Sequence, residues 1–148
     1  MVDIVNLDST VRHINTAPGT PTKDFFNWLK KISDFGAAWV SYTPTVTAQT
    51  GAIAAATASM RFREIGRTVM IQVQVMITNA GTATGVLFVT LPKAALGTQM
   101  IMGRENAING GALSGVINGS TLSVLYYNSV SPIATGAQLN LGGSYEEA

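Results

Sequence analysis

A chain of 148 residues, 47% hydrophobic and only 11% charged, has room for one domain of ordinary size plus an appendage, and its charged fraction is less than half of the roughly 25% usual in soluble domains. Mean hydropathy is +0.28, yet Gly, Thr, Gln and Asn break every apolar run well short of the ~18 residues of a membrane-spanning helix. Nine basic and eight acidic residues are scattered for a net charge of +1, which leaves no cationic face to neutralise phosphates, so neither a membrane nor a nucleic-acid partner is expected.

The chain has no cysteine, which excludes disulfides, thiolate metal sites and Cys nucleophiles together. Met1-Val2-Asp3-Ile4 lacks the basic-then-apolar opening of a secretory signal, so synthesis in a cytoplasm is expected.

In chain order, residues 1–21 read as an extended or irregular arm, because Thr16-Ala17-Pro18-Gly19-Thr20-Pro21 combines turn formers with two prolines that block a helix. Without a core of its own, such an arm has to dock on something. Residues 22–36 read as one amphipathic helix: Thr22 can cap it, Asp24 lies in its first turn, Lys30 and Lys31 in its last, and Gly36 stops it. Phe25, Trp28, Ile32 and Phe35 recur at coiled-coil spacing, and Leu29 broadens the seam. That face packs either on the chain's own β-domain or on copies of itself around a symmetry axis; in the second case these five residues form a trimer interface.

Residues 37–148 carry the signals of an antiparallel β-sandwich, with short strand-like runs punctuated by Gly, Asn and Pro. The expected strands are Trp39 to Thr47, Met60 to Ile65, Thr68 to Thr78, Gly85 to Leu91 ending at Pro92, Gly111 to Ile117, Thr121 to Tyr127 and Ala137 to Tyr145. Thr68 to Thr78 alternates without a fault: Val69, Ile71, Val73, Val75 and Ile77 share one face, and Met70, Gln72, Gln74 and Met76 the other. Gly66 is expected in the turn before it, and Asn118-Gly119 reads as a tight hairpin between two further strands. Ala52 to Ala58 is read as extended, with little side chain to pack.

The inventory for catalysis is poor. His13 is the only histidine, and Asp8 and Ser9 accompany it in the irregular arm rather than on a rigid scaffold. No metal-ligand, phosphate-loop or dinucleotide pattern is present, so no metal, no cofactor and no enzymatic activity are expected. Glu146-Glu147 and Arg104-Glu105 are the only arrangements a glycosidase could use, and the two terminal glutamates, adjacent and pointing apart, read as a solvated tail. Asn118-Gly119-Ser120 matches a glycosylation acceptor, which the turn already explains.

Tyr126 and Tyr127 are consecutive on an expected strand, so one ring faces away from the core. That ring can stack on a sugar or fill a subunit interface. With Asn128 following, and with Arg104, Glu105 and Asn106 as a second polar cluster, these six residues are the candidate receptor or glycan-binding set.

From Trp39 onward the sequence resembles the C-terminal head domains of tailed-phage and prophage tail fibres and spikes. The resemblance rests on Trp39-Val40-Ser41-Tyr42-Thr43-Pro44-Thr45-Val46-Thr47, on Arg61-Phe62-Arg63-Glu64-Ile65-Gly66-Arg67-Thr68-Val69, and on Val89-Thr90-Leu91-Pro92. It continues through Gly103-Arg104-Glu105, Leu113-Ser114-Gly115 and Gly136-Ala137-Gln138-Leu139 to Gly143-Ser144-Tyr145-Glu146. It spans residues 39–148, and its specificity lies in the order of the pieces. The resemblance implies an all-β, jelly-roll-like sandwich head, homotrimeric assembly and exposure on a virion, often with recognition of host-surface glycans. The expected protein is thus a virion fibre or spike, attached to other virion proteins through residues 1–21 and presenting a trimeric head. The alternatives are a purely structural capsid or tail decoration protein and, needing paired carboxylates in a groove, a glycan-degrading spike.

Overall fold

The computed structural model describes residues 23–34 and 38–148, and the chain divides into two units, Met1–Ala37 and Ala38–Ala148. The arm of residues 1–21, the Thr22 cap, Phe35 and the Gly36 stop lie outside the described residues, as do His13, Asp8 and Ser9.

In the first unit the expected helix is present as α1 (Lys23–Asp34). Phe25 and Trp28, one turn apart, bring their ring centroids to 5.8 Å at a 31° tilt, and Phe26 meets Phe25 edge-on at 6.4 Å. Phe26 is 58% exposed and Leu29 40%, so part of the apolar surface of α1 stands uncovered; the side chain of Ile32 lies outside the described residues.

The second unit is all antiparallel β. Its seven strands are β1 (Val40–Tyr42), β2 (Val46–Thr50), β3 (Ala55–Ile65), β4 (Thr68–Asn79), β5 (Thr84–Glu105), β6 (Ala112–Tyr126) and β7 (Gln138–Glu146). They follow the order β1-β3-β4-β7-β5-β2, with β6 also on β5. Along β4 the alternation holds throughout: Val69, Ile71, Val73, Val75 and Ile77 are buried, and Met70, Gln72, Gln74 and Met76 exposed. The turn into it is the two-residue loop between paired Ile65 and Thr68, and Gly66 takes φ +61° there, a conformation that costs an L side chain energy but glycine almost none.

Three expectations are corrected. Trp39 to Thr47 is not one strand: buried Pro44 divides it, so β1 pairs with β3 and β2 with β5. Thr90 ties the break, its Oγ1 accepting from the Thr45 N–H at 2.8 Å and its own N–H donating to the Thr45 carbonyl at 3.0 Å.

Pro92 does not end β5. The ladder to β6 breaks register between Thr90 and Ala95 and again between Ala95 and Gln99, and a proline at such a break withholds no ladder hydrogen bond. The first part of β5 lies between β2 and β6, the last part between β7 and β6, so this strand passes from one layer of the sandwich-like, curled sheet to the other.

Asn118-Gly119 does not separate two strands in a tight hairpin turn. β6 runs through it, and both halves of β6 pair with β5. Gly119 takes φ +54° while Asn118 keeps a negative φ, which is a bend rather than a turn needing two positive angles. The bend brings the ends of the segment together, and the Tyr127 N–H donates to the Ala112 carbonyl at 3.0 Å.

One core joins the layers: Met60, the five inward residues of β4, Leu87, Val89, Ile101, Leu122, Leu139 and Tyr145 are among its members, each worth roughly 1.5 to 3 kcal/mol for a fully buried aliphatic side chain. Inside this core, one strand position has room only for glycine. A β-carbon on Gly115 would lie 2.9 Å from both Ile101 Cγ1 and Leu122 Cδ1. Near the end of β7, Tyr145 donates its hydroxyl to the Lys93 carbonyl at 3.0 Å, and burial pushes its pKa up to about 12.

Candidate functional site

Two loops converge beside the end of β5. The first follows Glu105, whose side chain is the single fully buried charged group among the described residues. Its Oε1 accepts from the backbone N–H groups of Ala107 (2.7 Å), Ile108 (3.0 Å) and Gln138 (3.2 Å), and its Oε2 from Ile108 (2.9 Å), Asn109 (2.8 Å) and Gly110 (3.2 Å). Burial alone raises a carboxyl pKa, but these amide donors outweigh it, and the Glu105 carboxyl is held down at about 2. The carboxylate therefore replaces the water that loop 106–111 would otherwise need. Further bonds close the loop: the Glu105 N–H donates to the Gly111 carbonyl at 2.9 Å, the Asn106 N–H to the Gln138 carbonyl at 2.8 Å, and the Gly111 N–H to Asn109 Oδ1 at 2.8 Å.

The second loop leaves β6 at Tyr126. Its N–H donates to the Val130 carbonyl at 2.9 Å and its carbonyl accepts from the Ser129 N–H at 2.8 Å, while Asn128 Oδ1 accepts from the Val130 N–H at 3.3 Å. To make this reversal Ser129 adopts φ +65°, the one positive φ of a non-glycine residue among those described. Such strain costs on the order of 1 kcal/mol and persists where surrounding bonds fix the loop.

Between the loops is a shallow cavity of about 360 Å³ lined by Asn109, Gly111, Ala112, Tyr126, Tyr127, Asn128 and Val130. Tyr126 is half-buried and packs on Gly111, where a β-carbon would lie 2.8 Å from its Cε1. Tyr127 is 77% exposed. Tyr127 is thus the outward ring, and Tyr126 forms the wall. Rings beside side-chain amides, with no acid in the lining, suit a ligand that has both an apolar face and hydroxyls. Cavities of about 530 and 510 Å³ lie elsewhere, on the β2–β3 side and on the outer face of β3 and β4; neither combines an exposed aromatic ring with amides in loops.

Of the six candidate residues, Tyr126, Tyr127 and Asn128 line the cavity, and Arg104 stands at its margin, paired in register with Ala112. Asn106 is exposed and does not line it. Glu105 is corrected from ligand contact to positioning residue, since both its oxygens are enclosed and occupied by backbone. Asn109, Gly111, Ala112 and Val130 also line it and lie outside the expected set. Asn109-Gly110-Gly111 carried a visible turn signal, whereas nothing near Glu105 in sequence marks it as buried.

The terminal glutamates are tied into the sheet rather than forming a loose tail, though the Glu146 side chain stays solvent-exposed. Glu146 ends β7 and approaches Arg67 at 3.6 Å, Glu147 approaches Lys93 at 3.9 Å, and Lys93 also reaches Glu64 at 3.4 Å. They face different partners and do not form a pair across a groove. Among the described residues no three His, Cys, Asp or Glu side chains gather, and no helix is long and apolar enough to cross a membrane. No family model matches this chain, and no curated protein or solved structure matches it.

Proposed function

We propose that this chain is a non-enzymatic phage virion protein, a fibre or spike whose β-sandwich head recognises a saccharide on the host surface. The observation that carries the reading is the cavity walled by Tyr126 and edged by exposed Tyr127, Asn109 and Asn128. A planar ring can cover the apolar face of a pyranose while amides bond its hydroxyls, and the Glu105-tied loop holds that wall in place before any ligand arrives, which lowers the ordering cost of binding. The virion assignment rests on the resemblance of residues 39–148 to tail-fibre heads.

The working form is a homotrimer, with residues 1–21 joining other virion proteins. A shallow site of weak single-copy affinity gains avidity from three copies on one particle. Supporting the trimer are the exposed Phe26 and Leu29 beside Phe25 and Trp28.

A purely structural decoration protein is the second reading. It is favoured by the outward face of the sheet, where Met100 and Met102 are each 66% exposed, together with Met70 and Met76, an apolar surface suited to a neighbouring subunit.

The deciding experiment measures binding of the purified trimer to bacterial cells and to a panel of surface polysaccharides. Tyr127→Ala is expected to abolish binding with assembly intact. Loss of the trimer instead would place Tyr127 in a subunit interface, and wild-type protein that binds no cell or polysaccharide would leave the decoration reading.

A further inference from the structure

We propose that the site takes an acidic saccharide, a uronic- or sialic-type sugar whose carboxylate is held by Arg104; this rests on the saccharide-binding reading above. Arg104 on β5 pairs with Ala112 on β6, and Ala112 lines the cavity. Both residues are exposed, and directly opposed residues of an antiparallel pair stand on the same face with β-carbons ~4.5 to 5.5 Å apart. The guanidinium reaches along loop 106–111: a β-carbon on Gly110, which has φ +65°, would lie 2.8 Å from Nη2 and 3.5 Å from Nε. Gly110 sits between Asn109 and Gly111, two residues of the cavity wall. A side chain at that position would displace the cation, and glycine leaves it room.

Among the described residues no acid pairs with this charge. The ion pairs among the described residues join Arg67 and Lys93 to Glu64, Glu146 and Glu147, and Arg104 takes part in none. Its partner on the other side, in β7, is neutral Asn140. Glu105 is next in the chain, but alternation sends it to the buried face, where five backbone N–H groups hold its carboxylate.

The cavity edge therefore presents a cation that has no acidic partner among the described residues, beside aromatic and amide groups. A guanidinium offers paired N–H donors that match the two oxygens of a carboxylate. One such cation balances the single charge of a carboxylate but not the nearly double charge of a phosphomonoester. The ring of Tyr127 and the amides of Asn109 and Asn128 then read the rest of the sugar.

The test uses the full chain on an array of uronate- and sialate-bearing oligosaccharides, oligogalacturonate and oligosialate among them, each beside its carboxyl-reduced counterpart, in which the carboxylate has become a primary alcohol. Binding to acidic forms is expected to exceed binding to the reduced forms about tenfold and to weaken as salt rises. Arg104→Gln should erase that preference, and Arg104→Lys, which keeps the charge but not the fork, should retain part of it. Equal binding to acidic and reduced forms, or an Arg104→Gln variant with the wild-type preference, overturns the assignment of Arg104 while leaving a saccharide site. Failure to bind either form of any member overturns the saccharide reading itself, and this proposal with it.

Discussion

Replacing Glu105 with glutamine changes the side chain's shape little but removes its charge and one of its two acceptors. In the native loop five backbone N–H groups converge on the two carboxylate oxygens at 2.7 to 3.2 Å. A glutamine carbonyl oxygen can take the place of Oε2 and keep Ile108, Asn109 and Gly110. Its NH2 group then faces the N–H groups of Ala107 and Gln138, donor against donor. Two hydrogen bonds to a charged acceptor are lost, each worth about 1.5 to 3 kcal/mol net, while relief from burying a charge offsets part of that. The expected cost is about 3 kcal/mol, a fall in Tm of roughly 10 to 15 °C for a domain near 100 residues.

The pH dependence adds an independent readout. The folded-state pKa is about 2 against an ordinary 4.5, so the native state favours the carboxylate and its contribution is fully present above pH 4.5. It is lost as the pH falls toward 2. Thermal unfolding of wild type and Glu105→Gln, followed by circular dichroism at several pH values, should show a wide Tm gap at pH 7 that narrows between about 4.5 and 2. Equal melting temperatures at pH 7, or a gap that stays constant on acidification, would refute the account of Glu105 as the group that holds loop 106–111.

If the proposed homotrimer forms, Trp28→Ala is expected to weaken it in light scattering while the melting of the β-domain stays nearly unchanged. Deleting residues 1–21 should likewise leave that melting unchanged and abolish incorporation into particles, scored by gel analysis of purified virions. Gly103→Ala places a β-carbon against the Asn140 carbonyl oxygen and Leu141 and should destabilise by about 2 to 3 kcal/mol in urea titration. Gly66→Ala meets no atom within 4 Å but keeps φ +61° and should cost only about 1 kcal/mol. A larger loss at Gly66 than at Gly103 would contradict the packing argument.

Local pattern was enough to find the elements whose causes are local. The alternation of β4 is written in eleven consecutive residues, because a strand with one buried face has to repeat every two positions. The helix carrying Phe25 and Trp28 and the turn at Gly66 are legible for the same reason; the adjacent tyrosines, expected on one strand, imply one outward ring, although β6 ends at Tyr126 and Tyr127 lies in the turn beyond it. Tertiary structure alone chose Tyr127 as that ring. It also carried β5 through Pro92, because the partner ladder happens to skip a bond there, and drew Asn118-Gly119 into one bent strand, because both flanking segments found β5. Glu105 shows the limit most clearly. In sequence it is one more acidic residue after an arginine; its burial depends on N–H groups that only a folded loop can aim at one point, including that of Gln138, 33 residues away. Hydrophobic period is a property of neighbours along the chain, whereas the satisfaction of a buried charge is a property of neighbours in space.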